Sequence, residues 1–407
     1  MISIVSPNAN SGYNKDMTRE QKIEELLSRG VAEVIDREHL KQRLLAGEKL
    51  RVKLGIDPTS PNLHLGRSVP LLKLRDFQEL DCQVVFIVGD FTGQIGDTSD
   101  KDSERPMLSE EDVRQNMETY LTQAFKLLDK DKTEVKHNTE WFKDMKLEQI
   151  GAHADAFSVA EFISRENIKK RLDEGKRVSL REMLYPVFQG IDSLKVEAAV
   201  EIGGTDQRFN LLAGRKLQSA WAKEPQDILM NNLILGTDGR KMSSSWGNTI
   251  NLTDTPNDMF GKVMSIPDEL IESYFVHCTR VPMDEVKKIL QSPNPRDAKL
   301  RLAEEIVKIY HGLDEAKKAV EYFVETFSKG QVPEEVREVK TSEGTTLLDF
   351  LVTAGLATSK GEARRKIEQG GVSLGEVKML DTTLMLASAH ANQILKVGKK
   401  DFVKIVF

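Results

Sequence analysis

Residues 51–90 read RVKLGIDPTSPNLHLGRSVPLLKLRDFQELDCQVVFIVGD, and the hydrophobic rhythm of this stretch decides the fold. Arg51–Ile56 is a short, apolar-rich run followed by Asp57-Pro58-Thr59, a strand running into a turn. His64-Leu65-Gly66-Arg67 then opens a segment in which Leu71, Leu72, Leu74, Phe77 and Leu80 recur near helical spacing. The unbroken apolar run Val84–Val88 follows and stops at the turn Gly89-Asp90. Strand, helix and strand make a βαβ unit, and a continuously apolar strand suits a parallel sheet covered on both faces. The expected class is α/β, with a Rossmann-like, doubly wound parallel sheet.

Further along, Ser109 and Asp112 have the spacing of a capping box, which predicts a long helix reaching about Asp129, and helical patterns continue through Val159–Glu174. These middle helices, about 111–181, read as a helical insertion that interrupts the α/β rhythm. The rhythm returns with a strand over Ala198–Ile202, Gly203-Gly204, a helix from Thr205 to about Ala220, and a strand over Ile228–Leu235. An α/β domain is therefore expected over residues 1–245. Residues 246–330 are helical with proline breaks and read as a small all-α domain. The polar stretch 331–344, with Pro333, Glu334, Glu335 and Gly344, reads as a linker, and 345–407 as a small α+β module.

A chain of 407 residues holds roughly two to four domains. With 39% hydrophobic and 30% charged residues, neither wholesale disorder nor a fibrous architecture is indicated. A net charge of −6 and a pI near 5.8 argue against a surface that binds nucleic acid everywhere, so any RNA contact is local. Cys82 and Cys278 form no disulfide framework or metal cluster, which fits a reducing compartment. No basic leader with an apolar stretch and no run of about 18 apolar residues occurs, so a cytoplasmic location is expected.

The sharpest chemical signal is a pair: His64-Leu65-Gly66-Arg67 after a strand, and Lys241-Met242-Ser243-Ser244-Ser245 far downstream. His64 and Gly66 stand where a helix N-terminus helps hold polyphosphate and where a missing side chain lets a nucleotide approach. Lys241, on a loop bounded by glycine, is suited to stabilise charge on departing pyrophosphate. Taken singly, the first is ordinarily helix-start packing and the second a solvated loop. Together and in this order they resemble the two signatures of class I aminoacyl-tRNA synthetases, with Arg67 in place of the second histidine and Ser244 in place of the second lysine. Arg67 still supplies a fixed, bidentate charge, whereas Ser244 supplies a donor without one.

The runs Gly89–Asp97, Leu184–Asp192 and Glu201–Gln207 are similar to those of the bacterial tyrosyl-tRNA synthetase family, and the resemblance extends from about residue 20 to the C-terminus. It implies that Asp97, Tyr185 and Gln189 hold the ammonium of tyrosine, that Asp192 accepts the phenol, and that Gln207 meets the amino acid and its carboxyl. It places Asp206 at the ribose and Gly55, Asp57, Thr59, His64, Gly66, Lys241, Ser243 and Ser245 around ATP. Tyr185 and Gln189 are four apart on an expected helix and so share a face. Lys53 stands where many family members have a tyrosine that also touches the phenol, and Ile191 adjoins Asp192. Lys101 and Arg105 resemble basic residues on a mobile segment near pyrophosphate, and are equally readable as a solvated charged loop.

The insertion at about 111–181 matches the one through which the family forms homodimers. The C-terminal module, with Ser359-Lys360-Gly361 and Arg364-Arg365-Lys366, resembles the S4-type RNA-binding fold, which makes Lys360, Arg364, Arg365 and Lys366 candidate tRNA contacts. The expected activity is therefore tyrosine plus ATP to tyrosyl-adenylate and pyrophosphate, then transfer to the 3′ end of tRNA(Tyr). His64, Arg67, Lys241 and Ser244 are the candidate catalytic groups. ATP enters as a substrate with Mg2+, and no dedicated protein metal site is expected. The rivals are a tryptophanyl enzyme, which Asp192 and the S4-like end oppose; a small-molecule adenylyltransferase, which needs no RNA module; and an RNA-binding protein that kept the scaffold without activation.

Overall fold

The computed structural model describes residues 17–99, 107–328, 336–375, 377–398 and 401–407. Its main sheet has six strands in the order β1 (Val31–Ile35), β6 (Asp227–Asn231), β5 (Val200–Gly204), β2 (Arg51–Ile56), β3 (Gln83–Val88) and β4 (Thr133–His137). Every neighbouring pair is parallel except β1 with β6. The expected βαβ unit is present as β2, helix Leu65–Gln78 and β3. Val84–Val88 is buried throughout, as a strand covered on both faces requires. Strand order reverses between β2 and β5, and in such sheets ligands bind beyond the carboxyl ends of the strands at the reversal.

The middle segment differs from its expected form. The capping box at Ser109 and Asp112 forms, but the helix runs only Glu110–Met117 and a second short helix covers Tyr120–Ala124. Thr133–His137 then joins the main sheet as β4, so the insertion is not wholly helical. Val159–Glu174 likewise divides into Val159–Ile163 and Glu166–Asp173. The helix Leu180–Lys195 starts on a second capping box, Ser179 with Glu182, and packs Val187, Phe188 and Ile191 against Phe142, Phe162 and Leu217. The strand expected to reach Leu235 ends at Asn231, and the helix expected from Thr205 begins as a 3-10 turn, Thr205–Gln207, before Arg208–Ala220.

The chain divides into two compact units, the first ending at Ala316 and the second starting at Lys317. The helices between Pro256 and His311 belong with the α/β sheet rather than forming a unit of their own. Arg280 forms a two-pronged pair with the buried Asp76 at 2.9 and 2.8 Å, and the Tyr310 hydroxyl donates to Ser68 Oγ at 2.7 Å. In the second unit a five-stranded sheet is ordered β7 (Arg337–Lys340), β11 (Asp401–Val406), β10 (Ile394–Val397), β8 (Val372–Leu374) and β9 (Val377–Lys378). Leu347, Phe350, Ile367, Val372, Leu395 and Ile405 share its core. Residues 337–340, expected to be linker, are thus a strand paired in parallel with β11.

Candidate active site

The turn after β2 is the hub. Asp57 Oδ1 accepts from Thr92 Oγ1 at 2.7 Å and Oδ2 from the Tyr185 hydroxyl at 2.8 Å. The chain can approach this closely because residue 89 is glycine: a Cβ there would sit 2.1 Å from Asp57 Oδ1. Burial and the neighbouring charges of Asp57 and Asp97 push the Tyr185 phenol well above its usual range, so it is a neutral donor. Gly55 is exposed on β2, and a Cβ added there would meet nothing closer than Ile87 Cβ at 4.0 Å.

Asp97 accepts from Gln207 Nε2 at 2.7 Å and from Ser99 Oγ at 2.6 Å, with Asn210 Nδ2 at 3.4 Å. The turn after β5 and the loop after β3 are therefore joined through two candidate amino-acid contacts. One helix carries Tyr185, Gln189 and Asp192. Asp192 is 4% exposed, and its oxygens accept from Trp141 Nε1 at 2.9 Å and Asn138 Nδ2 at 3.3 Å. Burial pushes its carboxyl up to about 7, against the opposing pull of Lys53 and of those two donors. Ile191 points instead into the apolar cluster of Phe142 and Phe188. The Lys53 ammonium turns to Gln189 O, Ser193 Oγ and Glu201 rather than to Asp192.

The two signature stretches meet. The Gly66 N–H donates to Met242 Sδ at 3.3 Å, Leu65 N donates to Ile250 O at 2.9 Å, and Ser60 Oγ lies 3.5 Å from Ser244 Oγ. Lys241 Nζ pairs with Asp206 Oδ2 at 3.0 Å. Asn248, 2% exposed, ties the loop by accepting from Ser243 N at 2.8 Å and donating to Lys241 O at 3.0 Å, and Ser243 Oγ lies 2.9 Å from Ser245 Oγ. Burial, reinforced by the charges of Arg67 and Lys241, pushes the His64 imidazole down to about 3, so it is neutral at physiological pH. Its Nδ1 is buried without a hydrogen-bond partner. Arg67 donates to Tyr120 Oη and to Thr59 Oγ1, each at 2.7 Å.

Lys101 and Arg105 lie outside the described residues. All the other expected active-site residues belong to the first compact unit, on β2 and the turn after it, the N-terminus of the helix Leu65–Gln78, the loop after β3, the turn after β5, the helix Leu180–Lys195 and the loop after β6. Tyr120, Asn138, Trp141, Glu201 and Met242 hold these groups in place and were not expected. Asn138 and Trp141 follow β4, a strand with no apolar run to announce it. Glu201 lies inside a stretch already singled out, and its role emerges only from strand register. Of the four basic candidates in the second unit, Lys360, Arg364 and Arg365 are exposed and Lys366 is half-buried. Lys366 is tied to Leu356 O and Glu362 and Lys360 to Asp349.

Residues 45–328 match the family described as tRNA synthetases class I (W and Y), and residues 328–405 match the Tyrosine–tRNA ligase SYY-like C-terminal domain. The tyrosine–tRNA ligase of Dehalococcoides mccartyi is 45% identical over 95% of this chain and 99% of its own. That of Thermotoga maritima is 43% identical over 96% and 98%. The Coccidioides posadasii mitochondrial tyrosyl-tRNA synthetase structure, at 22% identity and a TM-score of 0.62 over 74% of this chain and 91% of that one, shares the fold. So does the Archaeoglobus fulgidus tyrosyl-tRNA synthetase complexed with L-tyrosine, at 21% identity and a TM-score of 0.59 over 74% and 100%. With full-length relatives at this identity and both signatures assembled at one strand reversal, the chain belongs to the class I tRNA synthetases of the tryptophan and tyrosine group, among the tyrosine–tRNA ligases.

Proposed function

We propose that the chain activates tyrosine with ATP at the β2/β5 reversal and passes the tyrosyl group to the 3′ end of tRNA(Tyr). The observation that carries this reading is the contact of Gly66 with Met242 beside the Lys241–Asp206 pair, because it brings both signature stretches to one place. The tyrosine carboxylate attacks the α-phosphorus, a carboxyl-oxygen-to-phosphorus bond forms, and the bond to the bridging oxygen of pyrophosphate breaks. The attacking carboxylate is already ionised at neutral pH, so position and charge stabilisation do the work. Lys241 meets the departing pyrophosphate, neutral His64 donates, and Asp206 takes the ribose.

Asp97, Tyr185, Gln189 and Gln207 hold the amino-acid end, and Asp192 reads the phenol. Mg2+ accompanying ATP would supply charge neutralisation at the phosphates. Among the described residues, Asp36, His39 and Asp227 form the one grouping close enough to hold an ion. Asp227 opens β6, at the opposite end of the parallel strands from the site, and Arg43 and Arg215 already face it at 3.8 and 3.9 Å.

The chain works as a homodimer in the cytoplasm. Leu147, Val159 and Leu180 of the insertion are 81%, 72% and 84% exposed, and we read them as surface that a second copy covers. No helix among the described residues is long and apolar enough to cross a membrane. A Leu147→Glu/Leu180→Glu variant should sediment as a monomer where the parent sediments as a dimer.

The deciding experiment is amino-acid-dependent exchange of labelled pyrophosphate into ATP across all twenty amino acids, with Asp192→Ala alongside. Exchange with tyrosine alone, lost in the variant, is expected. Exchange with another amino acid moves the specificity, and tRNA binding with no exchange leaves an RNA-binding scaffold as the better reading.

A further inference from the structure

Lys53 and Glu201 face each other in register on the parallel strands β2 and β5, at the strand reversal. Both side chains are 1% exposed, and their charged atoms stand 2.8 Å apart. The remaining Lys53 donors go to Gln189 O at 3.0 Å and Ser193 Oγ at 2.9 Å. Glu201 Oε1 accepts from Gln189 Nε2 at 3.0 Å, while Oε2 accepts from Ser193 Oγ at 3.1 Å and from Gln226 Nε2. Gln189 is therefore gripped twice, at its carbonyl by Lys53 and at its amide nitrogen by Glu201.

A buried ion pair often stabilises a fold no more than a well-packed apolar pair in the same space, so folding stability alone is a weak reason for it. Its partners supply a stronger one. Giving Nε2 to Glu201 leaves the Gln189 amide oxygen as the free acceptor, the atom suited to an ammonium. The turn Gln189–Ser193, clamped at both ends, carries Asp192 between them.

We propose that Lys53 and Glu201 are positioning residues for amino-acid recognition: they aim the amide oxygen of Gln189 at the ammonium and hold the helix turn that presents Asp192, without touching substrate themselves. The proposal rests on the tyrosine-activating reading above. An ion pair on register partners gives both groups one rotamer and keeps ligand contacts within the small tolerance that recognition needs.

Lys53→Met alone strands a buried carboxylate, so the test uses Lys53→Met/Glu201→Gln, which removes both charges at nearly constant volume. Tyrosine-dependent pyrophosphate exchange by the parent chain comes first: its absence overturns the activity reading itself, before any variant is compared. Given that activity, the pair variant should raise KM for tyrosine at least tenfold and leave KM for ATP within twofold, with an unaltered circular dichroism spectrum. An unchanged KM for tyrosine, or equal rises for both substrates, overturns the proposal. Gln189→Ala supplies the second arm. It should raise KM for tyrosine in the parent and add nothing further in the pair variant, whereas fully additive losses would show that the pair does not act through Gln189.

Discussion

The Lys241 ammonium stands 3.0 Å from the Asp206 carboxylate, joining the loop after β6 to the turn after β5 by one charge contact. The two side chains are 33% and 20% exposed, so the pair contributes only about 0–1 kcal/mol. In the proposed reading this weak contact is exchanged for phosphate on one side and ribose on the other. Lys241→Met should therefore lower kcat for adenylate formation by about 100- to 1000-fold, the loss seen when one transition-state donor is removed. Its melting temperature should stay close to the parent's. Single-turnover pyrophosphate release measures the rate, and a fall of less than threefold would remove Lys241 from the chemistry.

The proposed phenol contact makes Asp192 the expected source of the site's pH dependence. Burial lifts its carboxyl to about 7, while Lys53, Trp141 and Asn138 pull it down, Glu201 pushes it up, and the Tyr185 phenol stays neutral beside it. Because the native value lies above the ordinary 3.8, the folded chain takes this proton more readily than the unfolded one. The ionised carboxylate therefore costs stability that grows as pH rises from about 4 to 7. In the proposed reading the same ionised form is the acceptor for the substrate phenol. kcat/KM for tyrosine should fall along a one-proton limb below pH 7, and Asp192→Asn should abolish that limb. Preference for tyrosine over phenylalanine, about 10⁴–10⁵ where a site is built on a substrate hydroxyl, should collapse in Asp192→Ala. A limb surviving in Asp192→Asn would belong to another group.

The parts of this site that were legible are those where one segment carries its own message. Val84–Val88 reads as a strand because every residue is apolar, and Tyr185, Gln189 and Asp192 share one helix because of their spacing alone. Thr133–His137 escaped because it is an edge strand, half-buried along its length, whose alternation of polar and apolar residues is weak, and Asn138 and Trp141 escaped with it. Arg337–Lys340 is likewise a charged edge strand and looks like linker. The Lys53–Glu201 pair was hidden for a different reason: a register between strands well over a hundred positions apart is a property of the folded sheet, not of any local pattern.

Arg67, one of the two departures from the family signatures, is anchored by its neighbours. It donates to the hydroxyl of fully buried Tyr120 and to Thr59 Oγ1, and reaches Asp57 O at 3.4 Å. Removing it leaves the Tyr120 hydroxyl buried with its acceptor capacity unmet, a loss of about 1–3 kcal/mol. Arg67→Ala should unfold at lower denaturant, and Tyr120→Phe in the same chain should restore part of that loss although Tyr120→Phe alone gains nothing. Urea midpoints with an unchanged slope read this directly. Simple additivity of the two substitutions would show that the pair is a geometric neighbour without energetic coupling.

The four basic candidates of the second unit are not equivalent, and tRNA charging should separate them. Lys366 holds Leu356 O at 2.8 Å and Glu362 at 2.9 Å, which makes it a brace of its own helix, while Arg364 and Arg365 stand exposed on the same helix. Reversing two exposed charges removes phosphate attraction without disturbing the core of Ala363 and Ile367. Arg364→Glu/Arg365→Glu should therefore lower kcat/KM for tRNA at least tenfold and reduce the salt slope of tRNA binding by about 1–2. Tyrosine-dependent pyrophosphate exchange should be untouched, because that step needs no tRNA. Lys366→Ala should show the reverse pattern, a lower melting temperature with a smaller effect on tRNA. If Lys366→Ala weakens tRNA binding as much as the double reversal, the interface is built from the braced face of the helix and the exposed arginines are only its solvated side.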